Sequence, residues 1–186
     1  MNRPESLGAL HRRKPLRLPQ YDYSQAGAYF VTAVTRDREL LFESPAAQEA
    51  VLSAWQAIAP HLPGVELDAC VVMPNHVHGI VVLTPEDVPL VGTASGRVGV
   101  TLGSIVGFFK HQAARNINAL RGTVGQVWQR GYYEHVIRDE RGLERIRDYI
   151  AENPARWGDD PENPVVPGAS RAARGRPYQA LGGGGL

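Results

Sequence analysis

Two histidines separated by a single residue, His76 and His78, lie in the run Val71-Val72-Met73-Pro74-Asn75-His76-Val77-His78-Gly79-Ile80-Val81-Val82-Leu83. Its β-branched content predicts strands on either side of the Pro74-Asn75 pair. Side chains two apart on a strand share a face, so the imidazoles stand side by side while Val77 packs on the opposite face. Neutral imidazole is a good ligand for several divalent metals, which makes this pair half of a metal site. Two half-buried structural histidines would show the same spacing, at the cost of burying ring nitrogens without partners. A second pair lies in Arg147-Asp148-Tyr149-Ile150-Ala151-Glu152-Asn153-Pro154, where Tyr149 and Asn153 are four apart and so share one stripe of a helix. If Asn153 is a metal ligand through its amide oxygen, the Tyr149 hydroxyl stands one turn away beside the same ion. A phenol with a pKa of about 10 is a poor nucleophile at neutral pH, and a metal acting as a Lewis acid on a phosphate would help it. The alternative for Tyr149 is a helix tyrosine whose ring packs while its hydroxyl meets water.

These residues need a scaffold, and the hydrophobic pattern supplies one. Ala28 to Thr35 reads as a strand with both faces buried. Ala46 to Ala59 carries Val51, Leu52, Trp55 and Ile58 at helical spacing and ends at Pro60, Pro63 and Gly64. Val65 to Met73 and His76 to Leu83 form a hairpin turning at Pro74-Asn75, expected in the middle of the sheet. Residues 85 to 100 read as a loop, and Thr101 to Leu120 as a helix with one apolar stripe. Trp128 to Ile137 reads as a further strand. A last helix runs from about Asp139 to Glu152, closed by Pro154 because the residue before proline is pushed out of helical geometry. Strand, helix, hairpin, helix, strand, helix implies an α+β fold: a ferredoxin-like or RRM-like antiparallel sheet with helices packed against it.

The chain has 186 residues and a formal net charge of +1, enough for one folded domain, expected over residues 27–160. Residues 1–26 read as a basic arm with Arg3, Arg12, Arg13, Lys14 and Arg17 against Glu5, and residues 161–186 as a disordered tail ending in a glycine run. Only two of the twenty cationic residues are lysines, so phosphate contacts would fall mostly to guanidinium groups. Cys70 is the only cysteine, which excludes a disulfide within the chain and fits a reducing cytoplasm. No apolar run approaches the roughly 18 to 20 residues that span a bilayer.

Several stretches, in order, resemble the single-tyrosine HUH transposases, specifically the REP-associated group within the insertion-sequence transposase-like family. They are Arg12-Arg13-Lys14 leading to Tyr21-Asp22-Tyr23, Gly27-Ala28-Tyr29-Phe30-Val31-Thr32, Met73-Pro74-Asn75-His76-Val77-His78-Gly79, Leu102-Gly103-Ser104-Ile105-Val106 with Phe109-Lys110, Trp128-Gln129-Arg130-Gly131-Tyr132-Tyr133-Glu134-His135, and Arg147-Asp148-Tyr149-Ile150 with Asn153-Pro154. The resemblance spans about residues 12 to 164. It implies His76, His78 and Asn153 as metal ligands, although related enzymes often carry Gln at the third position. It further implies Mg²⁺ or Mn²⁺ as cofactor, and Tyr149 as the nucleophile that attacks a DNA phosphate, forming a 5′-phosphotyrosine link and freeing a 3′-hydroxyl.

The expected partner is therefore single-stranded or hairpin DNA, handled by a monomer or homodimer in the cytoplasm, at the nucleoid. Arg12, Arg13, Lys14 and Arg17 are candidates for phosphate and groove contacts, though a solvated tail has the same composition. Lys110, Arg130 and Tyr132 are further candidates, the latter two in a cationic and aromatic mixture with Trp128 and Tyr133 that suits unpaired bases. Alternation along that strand would also bury several of these aromatics. His135 is expected to be structural or to touch DNA. Two other readings stand beside this one: a non-catalytic DNA-hairpin binding protein that keeps the fold, and a replication-initiator or relaxase-like nickase.

Overall fold

Side-chain caps mark the starts of the three longer helices. The computed structural model describes residues 22, 24–84, 92–93, 96–97, 100–160 and 162–165. The chain enters on β1 (Gly27–Val34) and, after a short 3₁₀ turn at Arg36–Arg38, reaches α1 (Pro45–Gln56). There the Ser44 side chain accepts from the Ala47 N–H and Pro45 occupies the first turn, where its missing donor costs nothing. One further turn, α2 (Ile58–His61), extends the helical run past Pro60 before Gly64, at φ +77°, turns the chain into β2 (Val65–Met73). The hairpin to β3 (His76–Leu83) turns on Pro74 and Asn75.

Most of residues 85–100 lie outside the described set. Within it, β4 (Gly92–Thr93) and β5 (Gly96–Arg97) pair as a two-residue antiparallel ladder. Then α3 (Leu102–Arg121) starts from a reciprocal Thr101–Ser104 capping box and ends on Gly122 in the left-handed region. Strand β6 (Tyr133–Ile137) and α4 (Glu140–Glu152) follow, with the Asp139 carboxylate accepting from the Gly142 N–H at 2.6 Å to cap α4.

The main sheet is antiparallel in the order β2-β3-β1-β6, the arrangement of a ferredoxin-like β-α-β-β-α-β core, so the α+β architecture expected from the pattern is the one observed. Only one hairpin strand is central, however: β2 lies at the edge. It carries an irregular register between Leu67 and Cys70 and the acid Asp68, two devices that make an exposed edge poor at pairing with other chains.

Two further expectations change. The strand expected from Trp128 begins only at Tyr133, because Trp128 makes a single bridge to Thr35 and Gly131, at φ +80°, turns the chain between them. Pro154 does not push Asn153 out of helical geometry. Asn153 has φ −56° and ψ −43°, and the chain continues as a 3₁₀ helix, Asn153–Asp159, with Pro154 in its first turn.

The sheet separates two clusters. On one face Val31, Ala33, Val77 and Val81 pack against Val51 and Trp55 of α1 and Ile105, Phe109 and Ala113 of α3. On the other, Phe30, Ile80 and Ile137 pack against Ile146 and Ile150 of α4. Gly79 is required by the first face, since a Cβ there would lie 2.4 Å from the Trp55 ring.

Candidate metal centre and its tyrosine

Because strand side chains alternate, the residues that pack Val77 and Val81 toward α1 and α3 send His76 and His78 toward the α4 side. Both imidazoles are fully buried. Their Nε2 atoms face each other at 3.0 Å. Two lone pairs at that distance repel, so the pair needs either one shared proton or a cation between its nitrogens. The outer nitrogens are both held: His78 Nδ1 lies 2.8 Å from the Thr32 hydroxyl, directly across the β1–β3 ladder, and His76 Nδ1 lies 2.8 Å from Asn75 Oδ1. Phe30 stacks on the His78 ring at 5.3 Å and Trp157 lies against His76 at 5.9 Å, which fixes the ring planes.

Helix α4 delivers the tyrosine. Its Ile146 and Ile150 are buried against the sheet, and Tyr149 between them is half-buried, with its hydroxyl 3.4 Å from His78 Nε2. A bidentate contact between Arg147 and Asp68 of β2, at 3.0 and 2.6 Å, sets the helix along the sheet. One turn on, Asn153 is buried and hydrogen-bonds Tyr149, while its Oδ1 has no hydrogen-bond partner. The structure therefore brings His76, His78 and Tyr149 together, with Asn153 beside the tyrosine.

A group not expected from the sequence completes the cluster. Asp160 is buried after the 3₁₀ helix, its Oδ2 3.8 Å from His76 Nε2, and the ligand atoms of His76, His78 and Asp160 all lie within 4.8 Å of one another. Its other oxygen accepts from the Glu162 N–H at 2.6 Å. The folded part reaches past residue 160, since Glu162 and Asn163 are both buried and Glu162 pairs with Arg38 at 2.8 Å. No hydrophobic period marks this stretch; the acids of Asp160-Pro161-Glu162 were its only signal.

Burial governs the ionisation of the site. Burial, then the neighbouring His78 and Arg38, hold His76 well below the usual histidine range, and burial brings His78 down to about 3, so both rings are neutral at pH 7, as ligands must be. Burial raises the carboxyls of Asp160 and Glu162. The Tyr149 phenol is pushed up to about 12, chiefly by burial and then by the Asp160 charge. Two imidazole nitrogens and a carboxylate form a mixed N/O donor set that fits a divalent cation.

The residues expected at DNA are placed in part. Arg12, Arg13, Lys14 and Arg17 lie outside the described residues. The Lys110 ammonium donates to the carbonyls of Gln129 and Gly131, each at 2.7 Å, and so ties down the turn that exposes Arg130. Burial lowers that lysine to about 8. Tyr132 packs partly buried against the larger core, and His135 lies across the ladder from Phe30.

An α+β protein with a buried His-x-His pair on a central strand, faced by a tyrosine from a helix across the sheet, is the class that fold and site define. No protein-family model matches the chain. An uncharacterised protein of Haemophilus influenzae is 33% identical over 173 residues, covering 81% of this chain and 93% of the relative. A second Haemophilus influenzae protein, provisionally named a REP-associated tyrosine transposase, is 28% identical over 74% of this chain and 75% of its own. A solved REP-associated tyrosine transposase, bound to a REP hairpin, superposes with a TM-score of 0.55 at 24% identity, over 76% of this chain and 74% of that one. The chain belongs to the REP-associated tyrosine transposase-like family. No helix among the described residues is long and apolar enough to cross a membrane.

Proposed function

We propose that this chain is a metal-dependent, single-tyrosine HUH transposase that cleaves and rejoins single-stranded or hairpin DNA. The observation that carries the reading is the meeting of three groups from two elements: the His76 and His78 nitrogens of β3 and, 3.4 Å from the latter, the Tyr149 hydroxyl of α4. His76, His78 and Asp160 would hold a divalent ion, Mg²⁺ or Mn²⁺, with Asn153 Oδ1 as a further donor. Such an ion supplies the positive charge that polarises a scissile phosphate and offsets the penalty on a phenolate beside Asp160.

The protein's own groups do the positioning. Ile146 and Ile150 seat α4 on the sheet, and the Arg147–Asp68 contact keeps it from sliding. The Asn153 hydrogen bond favours the ionised form of Tyr149. The tyrosine oxygen attacks phosphorus, the bond to the 3′ oxygen breaks, and the phenol proton is balanced by the new 3′-hydroxyl. Attack of a 3′-hydroxyl on the phosphotyrosine reverses the step and rejoins strands, so one site serves cleavage and transfer. The basic arm with Arg12, Arg13, Lys14 and Arg17 would anchor DNA phosphates, together with Arg130 and Tyr132, while Lys110 acts by holding the Arg130 turn.

The test is incubation with labelled single-stranded DNA carrying short hairpins, with Mn²⁺ or EDTA, read on denaturing gels. A covalent protein–DNA band that needs both metal and Tyr149, and is lost in Tyr149→Phe, is the expected result. Hairpin binding without that band, on substrates shown to bind, would replace this reading with that of a binding protein.

A further inference from the structure

Asn75 sits in the hairpin turn, where a Pro-Asn pair ordinarily needs no more than turn propensity, yet it is fully buried. Its backbone carbonyl accepts from the Thr35 N–H at 2.8 Å, and that of Pro74 accepts from the Phe42 N–H at 2.9 Å, so the turn is fastened from outside. Its side-chain amide has a single possible orientation. Nδ2 lies 2.7 Å from the Glu162 carbonyl and 3.3 Å from the Arg38 carbonyl, and neither of these can donate. Flipping the amide would set oxygen against two oxygens, so Oδ1 must face His76 Nδ1, 2.8 Å away.

An oxygen without a proton accepts only from a protonated nitrogen. We infer that Asn75 is a positioning residue that fixes the His76 proton on Nδ1 and leaves the Nε2 lone pair facing His78 and Asp160, ready for a cation. Metal-binding histidines commonly owe their tautomer to such an outer partner. Here the outer partner is itself oriented by two remote segments. Arg38 is one of two consecutive non-glycine residues in the left-handed region, with Asp37 at φ 52° and Arg38 at φ 60°, a conformation that persists only where its surroundings hold it. The Arg38–Glu162 ion pair at 2.8 Å joins the same two segments whose carbonyls clamp the amide. Docking of Asp160 and Glu162 thus does two things at once: it brings Asp160 to the site and it orients the amide that sets the His76 tautomer.

The inference rests on reading His76 as a ligand, and its test does not depend on DNA cleavage. The full chain, ¹⁵N-labelled at histidine and stripped of metal by a chelator, is examined by long-range ¹H–¹⁵N correlation of its imidazoles at neutral pH. His76 is expected as a single tautomer with Nδ1 protonated and Nε2 bare. In Asn75→Ala, folded by its amide spectrum, the proton moves to Nε2 or averages between both, and Mn²⁺ affinity falls about 10- to 100-fold. A wild-type His76 protonated on Nε2 overturns the inference, whether or not the variant folds. So does a folded Asn75→Ala that keeps the Nδ1 proton and binds Mn²⁺ within about twofold of wild type. Loss of the covalent DNA band with the tautomer as expected would instead fault the proposed reaction and leave the role of Asn75 standing.

Discussion

The two faces of the sheet are built to different standards. The face under α1 and α3 is mostly apolar, with Trp55, Phe109 and Trp128 packed ring against ring at centroid distances of 5.2 and 5.5 Å and one buried acid, Glu134, opposite Val31. The face under α4 has only a small apolar cluster, beside which two fully buried imidazoles, an acid and an amide with an unsatisfied oxygen are gathered. Burying polar groups this way costs stability, so the first face must carry the fold that the second spends on its site.

The comparison breaks first if the large core can be damaged without loss of stability. Phe109→Ala, at a fully buried ring touching both Trp55 and Trp128, is expected to cost about 3–5 kcal/mol in denaturant unfolding while leaving Mn²⁺ affinity of the folded protein nearly unchanged. A loss under about 1 kcal/mol would mean that the α1–α3 face is not where stability resides.

Gly79 tests whether the faces are separable at all. A methyl group there meets the Trp55 ring at 2.4 Å, so Gly79→Ala must displace either the indole or β3. The expected cost is about 1–3 kcal/mol. Because Gly79 follows His78 directly, a weakened Mn²⁺ affinity should accompany it. Destabilisation with an unaltered metal site would show that α1 yields and the strand does not.

Acid should act through the other face. Both site histidines are neutral when folded, with pKa values below the unfolded value of 6.5, so their contribution is fully present above that pH and is lost as pH falls toward about 3 for His78. Asp160 and Glu162 have the opposite sign: their raised folded pKa values make the native state bind protons more readily as the solution becomes acidic. The metal-free protein is expected to lose stability as pH falls from about 6.5 to 5, with a slope of about 1 kcal/mol per pH unit for each histidine, offset in part by Asp160 and Glu162. Unfolding curves of wild type and His78→Phe across that interval check it, and equal slopes in the two would remove His78 as the cause.

What the sequence could express was periodic or local. The hairpin bounds at Met73 and His76, the shared face of His76 and His78, and the caps of α3 and α4 all follow from neighbours a few residues apart. Tyr149 was singled out by its four-residue spacing to Asn153 on one helix, again a local signal. Asp160 and Glu162 were not, because they follow Pro154 in a stretch without period and pack against Arg38, Asn75 and His76, more than 80 residues away in the chain. Asn75 shows the limit most clearly: its residue type predicts a turn, and the turn forms, but nothing local reveals that its amide faces a histidine. Lys110 errs the other way, since an exposed-looking cation on a helix proved to be spent on two carbonyls.

The smallest expected effect concerns the contact that joins the two standards of packing. Arg147 and Asp68 pair in bidentate geometry, but the arginine side chain is 44% exposed and the acid 21%, so solvent screens most of the attraction. A double-mutant cycle with Arg147→Ala and Asp68→Ala is expected to give a coupling of about 0.2–1 kcal/mol. Stability is then nearly indifferent to the pair, and its role is to set the register of α4 on β2. The discriminating measurement is positional. If Arg147→Ala leaves stability almost unchanged yet lowers formation of the covalent DNA band, the contact aims Tyr149 at its site. If the band is unaffected, burial of Ile146 and Ile150 alone is enough to hold the tyrosine within reach of His78.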